Sequence, residues 1–497
     1  MPFGVLFNYF SHAYGYLVII LTSPVLLSAL GSEGWGIISL LAMAQMWLGV
    51  LDAGVTPTLI HVISKHQQGM YPLETKIIVN SLRWLIFLFS FIFLVGAVAL
   101  IDPLSNPWSI KLVNANLPVD PALIILLIIV TCLLRLNSFV ARAAVLADRR
   151  QVLVASLEIG INTARFPLAY FILIFNDSMN VTNFLYTQLF ISIFEFLIYQ
   201  ILVSRSIGVT LIPGRLMLTS LYPVKSLLGV SAVSTLIWLF LSQLDRLVFS
   251  VSLGLSEFGY FTLVASLCAL VLGFPAPLGR AVLPMLTRAV AKDEAIKVVE
   301  IYRASTVFTV GMLGSFVVAG VLFPEKLLGA WLSDEAAITW ISLILPWYFV
   351  GAFCVAIMTF QYYLQVATGD LSYHLRYNIA SVFVTVPALL MAFREFGIVA
   401  SALVLMLLKV LPLVIWLPFI HSRFANGLGK KWYFNDIFEP LMISLLVMVV
   451  LSQFTDRLLP GYRYEIIINI IISMVVTMAS MLKQHRFKSI VSAYYND

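Results

Sequence analysis

Charge is scarce in this sequence. Asp, Glu, Lys and Arg make up 11% of its 497 residues, where a soluble domain carries roughly 25%. That scarcity excludes a soluble globule and leaves an integral membrane protein with many spans. Cysteine is almost missing as well. Cys132, Cys268 and Cys354 each lie inside an apolar run, and no pair has metal-ligand spacing, so they read as packing. Residues 6–30 contain no Asp or Glu. The N-terminus has no basic n-region and no small-residue cleavage site, so no removable signal peptide is expected and the first helix must start insertion itself. There is no HExxH, no GxSxG, no Walker loop and no pair of carboxylates on an extramembrane domain. An enzyme is therefore not expected, nor a cofactor or a metal.

What is present is apolar surface. Hydrophobic residues reach 61% and the mean hydropathy is +0.99. A helix needs about 20 apolar residues to cross the hydrocarbon. Fourteen runs qualify, at roughly 6–30, 36–62, 77–101, 121–146, 152–175, 184–204, 227–252, 259–284, 304–323, 338–366, 377–393, 397–420, 437–455 and 466–482. The expected fold is all-α and polytopic, with lobes at 1–204 and 227–423, a cytoplasmic linker at 205–226 and two further helices within 437–482. The stretch 287–305 reads as an interfacial amphipathic helix. One hairpin occurs twice. Gly31, Gly36, Leu40 and Ala42 match Gly254, Gly259, Leu263 and Ala265, all at an offset of 223 residues, as in a duplicated transporter. An even number of helices per half relates the halves by an axis along the membrane normal.

Basic residues orient the chain. With the N-terminus in the cytoplasm, 20 of them fall inside and five, Lys111, Lys326, Arg394, Arg457 and Arg463, fall outside. Both termini are then cytoplasmic, and the net charge of +6 reflects this bias rather than a nucleic-acid partner.

Charges within spans are costly, roughly 3 kcal/mol each, and mark a bundle interior or a wet cavity. Basic candidates are Arg135, Arg165, Arg246, Arg280 and Lys409; acidic ones are Asp52, Glu158, Glu195 and Asp245. Helical spacing puts Glu158, Asn162 and Arg165 on one face, Arg135, Ser138 and Arg142 on another, and Ser231, Thr235, Trp238, Ser242 and Asp245 on a third. Such stripes fit a water-filled cavity. The rival reading makes these charges structural: pairing or snorkelling for Asp52, Arg246 and Arg280 near span ends, and neutralisation of Arg135 or Arg165 by Glu158. His12 reads as a hydrogen-bonded helix residue. Pro24, Pro57, Pro167, Pro275, Pro277, Pro346, Pro387 and Pro412 interrupt spans and can act as hinges.

The run LGSEGWGIISLLAMAQMWLGVLDAGVTPTL at 30–59 and QLDRLVFSVSLGLSEFGYFTLVASL at 243–267 carry a family resemblance. They resemble polysaccharide flippases, the O-antigen (Wzx-type) and polysaccharide-transport members of the multidrug/oligosaccharidyl-lipid/polysaccharide exporter superfamily. The likeness is strongest at Gly31, Gly36, Asp52, Gly54, Gln243, Asp245, Arg246 and Gly259. It implies two six-helix bundles in a V, alternating access, and transfer of an undecaprenyl-pyrophosphate-linked oligosaccharide to the outer leaflet of a bacterial inner membrane, in O-antigen and lipopolysaccharide biosynthesis. The cationic cavity it implies matches Arg135, Arg165 and Lys409 in kind, with Glu158, Glu195 and Asp245 as coupling or charge-balancing groups. Implied partners are the lipid-linked oligosaccharide, membrane lipids, a proton or sodium ion and the polysaccharide polymerase machinery. A multidrug or cation antiporter of the same superfamily is the rival, but it favours an acidic residue in the first helix. A membrane glycosyltransferase, an O-antigen polymerase or ligase, would need a larger external loop than 102–120.

Overall fold

The computed structural model describes residues 3–52, 55–64, 72–99, 107–114, 120–210, 217–425, 428–458, 461 and 463–483. Regular structure among them is entirely helical, as apolar segments in lipid require, because a helix satisfies its own backbone. In order come α1 (Phe3–Asp52), α2 (Val55–Ser64), α3 (Leu73–Ala99), α4 (Pro107–Asn114), α5 (Pro121–Ala147) and α6 (Gln151–Thr163). A π-turn, Ala164–Leu168, leads to α7 (Ala169–Phe175), α8 (Val181–Ile207), α9 (Lys225–Ser252) and α10 (Leu255–Gly273). There follow α11 (Pro275–Ala291), α12 (Ala295–Leu322), α13 (Pro324–Trp331), α14 (Glu335–Ser342), α15 (Leu345–Thr368), α16 (Ser372–Val414) and α17 (Trp416–Phe424). Last are α18 (Gly429–Lys431), a second π-segment (Trp432–Phe438), α19 (Glu439–Leu458) and α20 (Glu465–Lys483).

Ten described segments are long and apolar enough to cross a membrane, rather than the fourteen expected. Three of the ten, Ala13–Trp47, Leu255–Ala291 and Ser372–Phe424, run 35, 37 and 53 residues, more than the roughly 20 that one crossing needs. Two of these long helices break inside, at Gly31 (φ 73°) and Gly397 (φ 78°). A β-carbon is strained at such φ, which is why glycine stands at both breaks. The interfacial helix expected at 287–305 does not exist. The chain turns at 292–294, where Asp293 adopts φ 57°, and the stretch is divided between the end of α11 and the start of α12. The buried side chains of α12, among them Val298, Ile301 and Tyr302, belong to the interior.

The chain forms two compact units, Met1–Thr262 and Leu263–Asp497. In the first, α2, α3, α5 and α8 enclose a core of Leu59, Val79, Leu82, Leu136, Val140, Tyr199 and Val203. Ala141, Ala143, Ala144 and Ala147 on α5 are buried in it; small residues let membrane helices approach closely enough for dispersion to hold them. α9 and the start of α10 also pack here, against α1. At that contact Ser32 bonds Ser256 (3.0 Å), Trp35 Nε1 donates to the Gly259 carbonyl (3.1 Å) and Ser39 meets Thr262 (2.6 Å). These partners are 223 or 224 residues apart, which is the offset of the repeat. A β-carbon on Gly36 would sit 2.2 Å from the Leu255 carbonyl oxygen, so the crossing requires glycine.

In the second unit α12 is the axis. Ser315 bonds Ser473 (2.9 Å), and Ser444 bonds Thr477 (3.0 Å). These hydroxyls tie α19 and α20 to α12 without a charge, as polar glue between helices in lipid. Arg303 donates two hydrogen bonds to the buried Asp436, at 2.6 and 2.8 Å, and His421 pairs with Tyr302 at 2.9 Å.

Candidate functional site

The first unit carries a buried ionic cluster on α5, α6 and α8. Its centre is Arg165, 2% exposed, which lies in the π-turn just before Pro167. Proline lacks the N–H that would close an α-turn, and a π-turn, with one extra residue, is a known response. The turn aims the Arg165 guanidinium at α8. It donates to Gln188 Oε1 (3.1 Å), Ser192 Oγ (2.9 Å) and Glu195 Oε2 (2.6 Å). Gln188 Nε2 returns a bond to the Arg165 carbonyl at 2.6 Å, capturing a carbonyl at the disrupted turn.

Glu195 is shared. Arg135 Nε lies 3.8 Å from the same carboxylate, with the Arg135 side chain 22% exposed, and its Nη1 donates to Gln45 on α1. Farther along α5, Arg142 pairs with Glu158, and the Arg142 side chain is 30% exposed. Glu158 also accepts from Ser11 Oγ at 3.4 Å. The neighbouring turn of α1 is tied to α6 through Tyr14 and Thr163, at 2.6 Å. The five charges, Arg135, Arg142 and Arg165 against Glu158 and Glu195, leave one positive charge in excess. The two partly exposed arginines, Arg135 and Arg142, carry it. Such a cluster can receive an anion; it has no carboxylate left over for a cation.

The geometry redistributes the candidates. Arg135, Arg165 and Glu195 do meet. Glu158 and Arg165 do not: Glu158 neutralises Arg142 rather than Arg135 or Arg165. Sharing a face is not meeting: seven residues is two turns, about 10 Å along the axis, and Glu158 turns to Arg142 on α5 while Arg165 turns to Glu195 on α8. Asp245, on α9, accepts from the Arg246 backbone N–H at 2.8 Å, and Arg246 Nη1 reaches Met46. Lys409 belongs to the second unit. Its chain crosses Gly351, and its Nζ lies 5.7 Å from the Tyr348 ring centre, within cation–π range. The side chains of His12, Asp52, Ser231, Thr235 and Trp238 fall outside the described residues. Sequence reasoning missed Gln188 and Ser192. With Glu195 and Tyr199 they recur at i, i+4, i+7 and i+11 on α8, a polar stripe that the same periodicity test would have caught.

No protein-family model matches the sequence, and no curated protein matches it. Solved structures do resemble the chain. It superposes on the lipid II flippase MurJ in an inward closed conformation with a TM-score of 0.71 at 12% identity, covering 98% of this chain and 99% of that one. It superposes on an inward-facing multidrug resistance MATE family transporter of the MOP superfamily with a TM-score of 0.56 at 14% identity, covering 85% and 96%. At such identities the likeness establishes fold alone: this chain shares its fold with the lipid II flippase and with the MATE family transporter.

Proposed function

We propose that the protein is an alternating-access flippase for a polyprenyl-pyrophosphate-linked oligosaccharide, an O-antigen or related repeat unit, in a bacterial inner membrane. Both termini are cytoplasmic in this reading, and the functional divisions are 1–204, 205–226, 227–423 and 437–482. The observation that carries it is the excess positive charge of the ionic cluster, presented by Arg135 beside the buried Arg165–Glu195 pair. A pyrophosphate crossing hydrocarbon carries at least two negative charges, whose Born cost must be offset along the path. Guanidinium forks match phosphate oxygens. Arg135 makes that contact, with Lys409 as a further cation on the second unit. Arg165 is reassigned from contact to positioning, because its donors are taken up by α8. Glu195 balances two arginines, Glu158 balances Arg142, and Asp245 balances Arg246. A cation antiporter is disfavoured, since both carboxylates of the cluster are neutralised by arginine.

The test is complementation of a host lacking its own flippase. Surface polysaccharide should return with the wild-type chain and fall at least tenfold with Arg135→Ala at equal protein level. Full export by Arg135→Ala would sink the reading.

A further inference from the structure

The crossing of α1 and α9 holds a donor and an acceptor that no described residue satisfies. Trp47 Nε1 and Gln243 Oε1 are both buried, and neither finds a hydrogen-bond partner among the described residues. Gln243 is only 8% exposed. On α9, Phe240, Gln243 and Arg246 follow at i, i+3 and i+6 and so share a face. Phe240 meets the Trp47 ring edge-on at 6.2 Å, and Arg246 reaches Met46. Gln243 therefore sits between two residues that touch positions 46 and 47. Buried polar groups are normally paired, and an orphan points to a missing ligand or to lost stability.

We propose that Trp47 and Gln243 hold the first sugar of the transported molecule, an inference that rests on the flippase reading above. The chemistry of the pair narrows the occupant. A metal ion cannot accept from the indole N–H, and a phosphate or carboxylate cannot donate to the amide oxygen. A neutral group that both accepts and donates completes both at once: a sugar hydroxyl, or the acetamido group of an amino sugar. Phe240 and the indole add apolar faces for the C–H side of a pyranose ring. Position along α1 supports the same occupant. Gln45, two residues before Trp47, binds Arg135, the proposed pyrophosphate contact. Pyrophosphate and first sugar are joined covalently, and the two positions stand about 3 Å apart along the axis of α1, on different faces of it.

The experiment compares lipid binding to the full-length protein in nanodiscs by native mass spectrometry. The probes are bare undecaprenyl pyrophosphate and undecaprenyl pyrophosphate carrying N-acetylglucosamine or galactose. Wild type should prefer at least one glycosylated probe. Trp47→Phe, which keeps a ring, and Gln243→Met, which keeps length, should each cut that preference about tenfold while leaving binding of the bare lipid unchanged. Arg135→Ala should weaken every probe. Melting temperature serves as control: Gln243→Met removes an orphaned polar group, so it should be at least as stable as wild type. Equal binding of bare and glycosylated lipids by wild type overturns the sugar site while leaving the flippase reading intact. So do variants that weaken all probes alike, or that leave the preference within twofold, as a site holding only water would. Failure of wild type to bind any probe overturns the flippase reading and this site with it.

Discussion

At the scale of single residues, burial separates the arginines that look alike in sequence. Arg165→Ala would leave Glu195 buried with Arg135 at 3.8 Å as its remaining cation, and an uncompensated buried charge costs about 3–5 kcal/mol. The variant should melt well below wild type and lose export. Glu195→Gln in the Arg165→Ala background should recover part of that loss, as coupled neighbours do in a double-mutant cycle. Additive losses would show that Arg165 does not act through Glu195. Glu158→Gln strips Arg142 of its partner and should impair export with protein still detectable; wild-type export at normal level would make Glu158 dispensable. Lys111 gives a pH-dependent reading. It donates to the Ser250 carbonyl at 2.6 Å, in the last turn of α9. Burial pushes its ammonium down to about 8 from the ordinary 10.5, partly offset by the Glu257 carboxylate. Below that value folded and unfolded chains both hold the proton, so its contribution is constant. Between about 8 and 10.5 the unfolded chain keeps a proton that the folded chain sheds, and stability rises with pH across that window. Burial also opposes the charge of Lys326, but bonds to Asp456 and Glu465 outweigh it and hold this lysine above its usual range. Acylation of the folded protein at pH 8, read by peptide mass spectrometry, should therefore favour Lys111 over Lys326. The reverse order would contradict the local electrostatics.

At the scale of elements, the sequence was informative wherever geometry was regular. Apolar runs located helices, and Gly36 and Gly259 were matched as repeat mates before they turned out to meet at one crossing, where Trp35 bonds the Gly259 carbonyl. Regularity failed at the π-turn. Pro167 marks where the period can slip, but nothing in a 3.6-residue period announces that Glu158 pairs with Arg142 on α5 and Arg165 with Glu195 on α8. The buried Asp436 lies in the second π-segment, within a stretch, 421–436, that reads as a cytoplasmic loop. Lone polar residues in a loop gave no sign of the long-range partner Arg303. The crossing itself is testable. A β-carbon on Gly36 would come within 2.2 Å of backbone, and backbone cannot swing aside as a side chain can. Gly36→Leu should part α1 from α10, lowering the melting temperature by several degrees, the effect of roughly 1–3 kcal/mol of overpacking. Gly160→Leu, at a position with nothing within 4 Å, is the matched control and should melt like wild type.

At the scale of the molecule, orientation decides which side loads substrate, and it rests on charge. With the N-terminus taken as cytoplasmic, the fourteen-run reading of the sequence puts 20 basic residues inside and five outside. Insertion retains Lys and Arg in the cytoplasm, with loops short enough here for the rule to hold. The described turns supply exposed reporters on both sides. Arg149, between α5 and α6, is exposed and Asp370, between α15 and α16, is half-buried, and both belong to the cytoplasm in this topology; Asn176, after α7, is exposed and belongs outside. Native cysteines interfere little, since Cys132, Cys268 and Cys354 are all buried, but their removal makes the readout unambiguous. In that background Asn176→Cys should react with a membrane-impermeant maleimide applied to intact spheroplasts. Arg149→Cys and Asp370→Cys should react only after lysis. The opposite pattern would invert the protein, leaving the basic residues outside and carrying the anion-attracting loops to the wrong face. A flippase that draws a pyrophosphate from the cytoplasmic leaflet needs its cations where that headgroup first arrives. Inverted labelling would therefore overturn the direction of transport together with the topology, while the fold and the ionic cluster stood unchanged.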